Sequence, residues 1–126
     1  MVPDRADVLW LKAKLFRGFA DPARLAVLEA LRDGPQTVAR LRLLTGLTAS
    51  NLSNHLRCLL DCGLVERQPA GRTAYYRLRD DRVAMVLALA EAVVTETAHG
   101  VAMCSNYELG DHHSVSPGCV EVAHGR

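Results

Sequence analysis

The stretch Thr48-Ala-Ser-Asn-Leu-Ser-Asn-His-Leu-Arg-Cys58-Leu-Leu-Asp-Cys62-Gly63 decides how this chain is read. Leu52, Leu56, Leu59 and Leu60 recur at helical spacing and predict a helix from Thr48 to Gly63 with one buried stripe. Ser50, Asn54 and Arg57 fall on the opposite side. Those side chains are small and rich in hydrogen-bonding groups rather than merely charged, which suits the edges of DNA bases. Cys58 and Cys62 stand four residues apart. Residues at that spacing share a helix face with Cβ atoms roughly 5–6 Å apart, so two thiolates there can share one soft metal ion.

Upstream, Asp21 is placed to cap a helix, Pro22 suits its first position, and Gly34 suits its end. Leu25, Leu28 and Leu31, with Ala26 and Ala30, form its apolar face. Thr37 then caps a short helix, Val38 to Thr45, that stops at Gly46. At the start of the chain, Asp7 to Phe19 places Val8, Leu11, Leu15 and Phe19 at helical spacing, with Trp10 and Phe16 on the flanks. That apolar surface serves either a dimer contact or a plain core helix.

Downstream, Leu64–Gln68 and Thr73–Leu78 are β-prone, and Pro69–Arg72 between them reads as a turn. The pair predicts a β-hairpin with a basic tip. A fifth helix is expected after Asp80 and Asp81, with Val83, Val86, Leu87, Ala90, Val93 and Val94 apolar, ending near Gly100. The expected fold is mainly α with a β-hairpin wing, a winged helix-turn-helix. Residues 1–100 form the DNA-binding and dimerisation domain, and residues 101–126 a C-terminal metal-ligand segment with a mobile tail.

In such a motif the second helix enters the major groove through its N-terminal part, and the wing touches backbone or minor groove. The candidate contacts are Thr48, Ser50, Asn51, Ser53, Asn54, His55 and Arg57 on the helix and Arg72 at the wing tip. Asn reads adenine by a bidentate pair, whereas Arg57 and Arg72 are suited to phosphates. The charge distribution agrees. Residues 48–79 carry five basic and two acidic residues, and residues 80–126 carry two basic and seven acidic ones, although the net charge is only +1. The middle of the chain is therefore the part suited to a polyanion.

With 126 residues the chain has room for one domain with a modest core. Its 49% hydrophobic and 23% charged content fits an ordinary globular protein. The longest uncharged apolar run, Val83 to Ala90, is far too short to span a membrane. The opening Met-Val-Pro-Asp-Arg-Ala-Asp does not read as a signal peptide, so a cytoplasmic location is expected. Four cysteines in such a chain point to metal binding or redox chemistry rather than a disulfide framework.

The residues also resemble a known family. Phe16-Arg-Gly-Phe-Ala-Asp-Pro-Ala-Arg-Leu-Ala-Val-Leu-Glu-Ala-Leu31 looks like the opening stretch of the ArsR/SmtB group of metal-responsive repressors. Leu47 to Leu56 looks like its recognition helix, and Gly63–Arg67 with Gly71–Leu78 looks like its wing. The resemblance covers roughly residues 8–98. It implies a homodimer built on the first and last helices, an apo form that represses, and a metal that releases double-stranded operator DNA.

Members of that group hold metal at different places. A zinc site on the last helix begins acceptably at Asp80, but Arg82 and Val93 stand where histidines are expected, leaving only Glu96 as a donor. A cysteine site before the recognition helix is ruled out by the absence of cysteine from Val38 to Leu47. Cys58-Leu-Leu-Asp-Cys62-Gly-Leu-Val65 resembles the CmtR-type cadmium/lead sensors, and that resemblance makes Cys104 the third ligand, within or across subunits. Three thiolates suit cadmium or lead first, with mercury or arsenite also accommodated. Zinc requires a fourth donor, for which His55 or a tail histidine is available. Cys119, His112, His113 and His124 are either a second weak site or spectators.

Three other readings compete. Cys58 and Cys62 form a redox-sensing disulfide in the first, although Cβ atoms must approach to about 3.5–4.5 Å for that bridge. A repressor with a non-metal inducer is the second. The third is a thiol enzyme using Cys58 with His55, but no orienting group or oxyanion hole accompanies that pair, so no enzyme is expected.

Overall fold

The computed structural model describes residues 4–103, without the side chains of 98, 99, 101 and 102. Helix α1 runs over Arg5–Phe19, α2 over Pro22–Ala30, α3 over Val38–Thr45, α4 over Ala49–Asp61 and α5 over Asp81–Met103. Strands β1, Gln36–Thr37, β2, Val65–Ala70, and β3, Thr73–Leu78, form one antiparallel sheet in the order β1-β3-β2.

Side-chain caps set the helix starts, and those at Asp21 and Thr37 were expected from the sequence. The Asp21 carboxylate accepts the Arg24 N–H at 3.0 Å, Thr37 Oγ1 accepts from Arg40 N–H at 3.2 Å, and Thr48 Oγ1 accepts from Asn51 N–H at 3.2 Å. At the other end of α4, Gly63 takes φ +79°. The Leu64 N–H reaches back to the Leu59 carbonyl at 3.0 Å and the Gly63 N–H to the Leu60 carbonyl at 3.1 Å. This is a Schellman stop, which only a residue tolerant of left-handed backbone closes cheaply.

The core joins α2, α3, α4 and the base of the wing through Val27, Leu28, Leu31, Leu41, Leu52, Leu56, Leu59, Leu64 and Val65, with Leu87 from α5. Each of α2 and α4 is amphipathic, so stacking their stripes is the way both leave water. The wing closes through Gly71 and Arg72, and the strands reach Ala70 and Thr73, so Pro69 belongs to β2 rather than to the turn. It is tolerated because β2 is an edge strand.

Two expectations about the terminal helices are corrected. No residue of α1 is buried, so the plain core-helix alternative does not describe this protomer. Helix α5 continues past Gly100 to Met103, with a non-helical Thr97 inside it. The Thr97 hydroxyl donates to the Val93 carbonyl at 2.8 Å, a back-bond that bends helices. The segment 104–126, and with it the expectations for Cys104, Cys119 and the tail histidines, lies outside the described residues.

Candidate nucleic-acid interface and thiol pair

The turn between α3 and α4 is set by Gly46, whose φ of +74° ends α3 and turns the chain toward the Thr48 cap. From that start α4 presents Thr48, Ser50, Ser53, Asn54 and Arg57 to solvent, with Asn51 half-buried. Thr48 also caps the helix, so its oxygen serves the fold before it serves a ligand. Arg72 is exposed at the wing tip beside Gly71. The surface opposite the leucine stripe is therefore polar along its length, with one cation on α4 and another on the wing. Such a surface can donate to and accept from base edges and neutralise phosphates.

His55 is the exception and corrects the sequence expectation. It is 0% exposed, on the interior face of α4, with Nε2 4.0 Å from the Asp21 carboxylate. A side chain committed there does not reach a groove. The same placement weakens it as the fourth zinc donor. Asp21 in turn is buried beside Arg24, whose Nε donates to the Gly18 carbonyl at 3.0 Å and whose Nη2 donates to the Arg17 carbonyl at 3.2 Å. Sequence reading missed this Asp21–Arg24–His55 group. Its signal was available, since Arg24 and His55 occupy positions within the apolar stripes of α2 and α4.

Cys58 and Cys62 lie one turn apart, and the Cys62 N–H donates to the Cys58 carbonyl at 2.9 Å. Helical geometry thus persists through Cys62, the C-cap residue, and keeps the two Cβ atoms on neighbouring positions. The pair straddles the protein surface, for Cys58 is 6% exposed while Cys62 is an exposed, free thiol. Cys62 is therefore not bridged to Cys58. An ion approaching from solvent meets Cys62 first, with Cys58 behind it. Cys58 is disulfide-bonded in this structure, so the pair offers two thiols to a soft ion only once Cys58 is reduced, and two do not complete its coordination. Among the described residues no group of three or more Cys, His, Asp or Glu side chains converges. Any further donor must come from elsewhere.

Helix-turn-helix followed by a β-hairpin wing defines the class: a winged helix-turn-helix DNA-binding domain. Residues 21–67 match the family described as bacterial regulatory protein, arsR family. The chain is 34% identical over 93 residues to the probable mercury resistance operon repressor of Streptomyces lividans, covering 74% of each protein. It belongs to the arsR family. It is also 47% identical over 75 residues to the transcriptional regulator CmtR of Mycobacterium tuberculosis, covering 60% of this chain and 64% of that one. The chain thus spans just under two thirds of that relative's length. The solution structure of the cadmium metal-sensor CmtR from the same organism superposes with a TM-score of 0.54 at 46% identity, covering 60% of this chain and 79% of that one. The homodimeric winged helix-turn-helix DNA-binding domain of Mb0332 from Mycobacterium bovis superposes with a TM-score of 0.69 at 27% identity, covering 90% and 96%. These relatives are transcriptional regulators rather than enzymes. No helix among the described residues is long and apolar enough to cross a membrane.

Proposed function

We propose that this chain is a cytoplasmic, homodimeric repressor that holds operator DNA when metal-free and lets go when a thiophilic ion binds Cys58, Cys62 and Cys104. Cadmium and lead are the leading inducers, with mercury, arsenite and zinc as the ions to compare. The observation that carries the proposal is the position of the thiol pair. Cys58 and Cys62 stand at the C-terminal end of the helix whose N-terminal part carries the exposed Ser50, Ser53 and Asn54. Binding there acts on the element that reads DNA, without any relay through the rest of the domain. Support also comes from two relatives whose names specify cadmium sensing and mercury resistance.

The dimer is supported by two apolar surfaces that the protomer leaves in water. On α5, Met85, Leu89 and Val93 recur every four residues and are 59%, 66% and 57% exposed. On α1, Leu9, Trp10, Leu11, Leu15 and Phe16 are all exposed. Contiguous apolar stripes of that kind mark interaction sites. The Mb0332 domain, which aligns over 90% of this chain, is a homodimer.

The test uses a duplex recovered by selection from random sequence and the reduced, full-length chain. Cys58→Ser and Cys62→Ser should each bind that duplex as the parent does and should fail to release it on cadmium addition. A coupling of about 1–3 kcal/mol, or roughly 5- to 150-fold in duplex affinity, is the ordinary range for such a switch. Full cadmium release by Cys62→Ser refutes the proposal. Parallel titrations with lead, mercury, arsenite and zinc, followed by thiolate-to-metal charge-transfer absorption, rank the ions.

A further inference from the structure

The buried polar and charged side chains among the described residues are Asp21, Arg24 and His55. They gather where the junction of α1 and α2 meets α4. One Asp21 carboxylate oxygen accepts the Arg24 backbone N–H at 3.0 Å, and His55 Nε2 stands 4.0 Å from that same oxygen. Arg24 reaches the other way, donating from Nε to the Gly18 carbonyl at 3.0 Å and from Nη2 to the Arg17 carbonyl at 3.2 Å. One small polar group thus ties the end of α1, the start of α2 and the middle of α4 together.

Stability alone does not account for it. Asp21 Oδ1 and Arg24 Nη1 are buried without a hydrogen-bond partner, and burying polar atoms in that state costs free energy. Position 55 lies in the apolar stripe between Leu52 and Leu59, where a leucine would pack with no desolvation cost. Exchanging buried charged groups for apolar side chains of similar volume is often neutral or stabilising. What apolar packing supplies less well is a single register. Leu52, Leu56 and Leu59 of α4 meet Val27, Leu28 and Leu41, all aliphatic side chains of similar size. Cores of that kind lose uniqueness before they lose stability. A buried polar contact is met at one placement of its helix, and setting register is the best-attested use of such groups. Reading a base edge needs that register, because a bidentate side chain matches its base in one geometry. Ser53 and Asn54 immediately precede His55 and are exposed.

We propose that His55 is a positioning residue for sequence reading. Its contact with Asp21 fixes α4 on the α1–α2 junction, and through α4 it fixes Asn54 on a base edge. It touches no DNA itself. That role rests on the operator binding given under Proposed function, and it holds whichever ion releases the duplex. Arg24 fastens the same junction to α1, so the reading helix is registered against a helix that carries one of the apolar surfaces assigned to the dimer.

The experiment uses the reduced full-length chain and the duplex recovered by selection. It measures the affinity for that duplex, for the same duplex with one base pair changed, and for an unrelated duplex. His55→Leu should remain folded by far-UV circular dichroism and bind the unrelated duplex as the parent does. Its preference for the selected duplex over the changed one should fall about tenfold, within the range that one bidentate base contact contributes. His55→Gln, which keeps a polar donor in place of the ring, should hold the preference near that of the parent. An unchanged preference in His55→Leu overturns the inference, and so does an equal loss of affinity for all three duplexes. A loss in His55→Gln as deep as in His55→Leu overturns it too, since the polar contact is then not the cause. If His55→Leu does not fold, Asp21→Asn decides, because it keeps the cap and removes the charge that faces His55. Its preference should fall severalfold, and an unchanged preference overturns the inference. Failure of the parent chain to enrich any duplex refutes the operator-binding reading itself, and the role of His55 with it.

Discussion

Replacing Leu89 by alanine should loosen the dimer without unfolding the protomer. Leu89 is 66% exposed and lies outside the core of the domain, so truncation leaves no cavity there. In a twofold dimer built on α5 the same side chain is buried in both copies. Leucine loses three carbons on conversion to alanine, at about 0.8 kcal/mol each when buried. About two thirds of that surface is still available for burial on association, giving about 1.6 kcal/mol per subunit and about 3 kcal/mol per dimer. The dissociation constant should rise about 200-fold. Sedimentation equilibrium across a concentration series measures it, with far-UV circular dichroism as the check on folding. Duplex affinity should fall in step, because a protomer engages one half-site where the dimer engages two. A dimer constant within a few-fold of the parent would refute the assignment of this stripe to the subunit interface.

Other expectations follow from single side chains. Leu59 is fully buried in the core, so Leu59→Ala should cost about 2–5 kcal/mol in urea unfolding, and a loss below 1 kcal/mol would contradict the packing. Asp80 is held by the Arg82 side chain and backbone N–H, which lowers its pKa to about 2. A lowered carboxylate stabilises the fold above its ordinary value of 3.8 and loses that contribution as pH falls through about 2. An NMR titration should find the low midpoint, and Arg82→Ala should return it toward 3.8. Arg72→Ala at the wing tip should weaken binding to all duplexes alike and reduce the salt slope of binding by about one, whereas a change in sequence preference would mean that Arg72 reads bases.

Most of the fold was legible because its boundaries are written in residues with local causes. Asp21, Thr37 and Thr48 cap, and Gly46 and Gly63 stop, through hydrogen bonds to neighbours within a few positions. Features that depend on tertiary contact were not legible in the same way. Strand β1 is two residues long, exists only by pairing Gln36 and Thr37 with Tyr76 and Tyr75, and has no periodicity to detect. Helix α1 looked equally suited to a core or an interface, since its spacing is the same in both, and only the folded protomer leaves it uncovered. His55 was misassigned because polarity was taken as exposure. Its spacing, three residues after Leu52 and four before Leu59, placed it inside the buried stripe. The cysteine spacing was plain in the sequence, but the partition into a buried Cys58 and an open Cys62 depends on tertiary packing at the end of α4.

That partition bears on how a small event at one end of α4 could disturb its other end. The helix has 13 residues, so about 20 Å separates Thr48 from Cys62. Leu52, Leu56 and Leu59 are locked against α2 and α3 at native packing density, and a helix so held shifts as a rod rather than bending locally. His55 adds a polar registration point against Asp21, midway along the rod. A pull on Cys58 and Cys62 at the C-terminal end therefore has few soft degrees of freedom to absorb it. On the proposed function it would be transmitted to Ser50, Ser53 and Asn54, and a bidentate contact from Asn54 to a base edge would tolerate little misplacement. The geometry favours release by displacement of a rigid reading helix over release by its melting. Amide hydrogen exchange in α4 should then stay as slow in the cadmium-bound chain as in the metal-free one, and accelerated exchange from Leu52 to Leu59 would show that the helix melts instead.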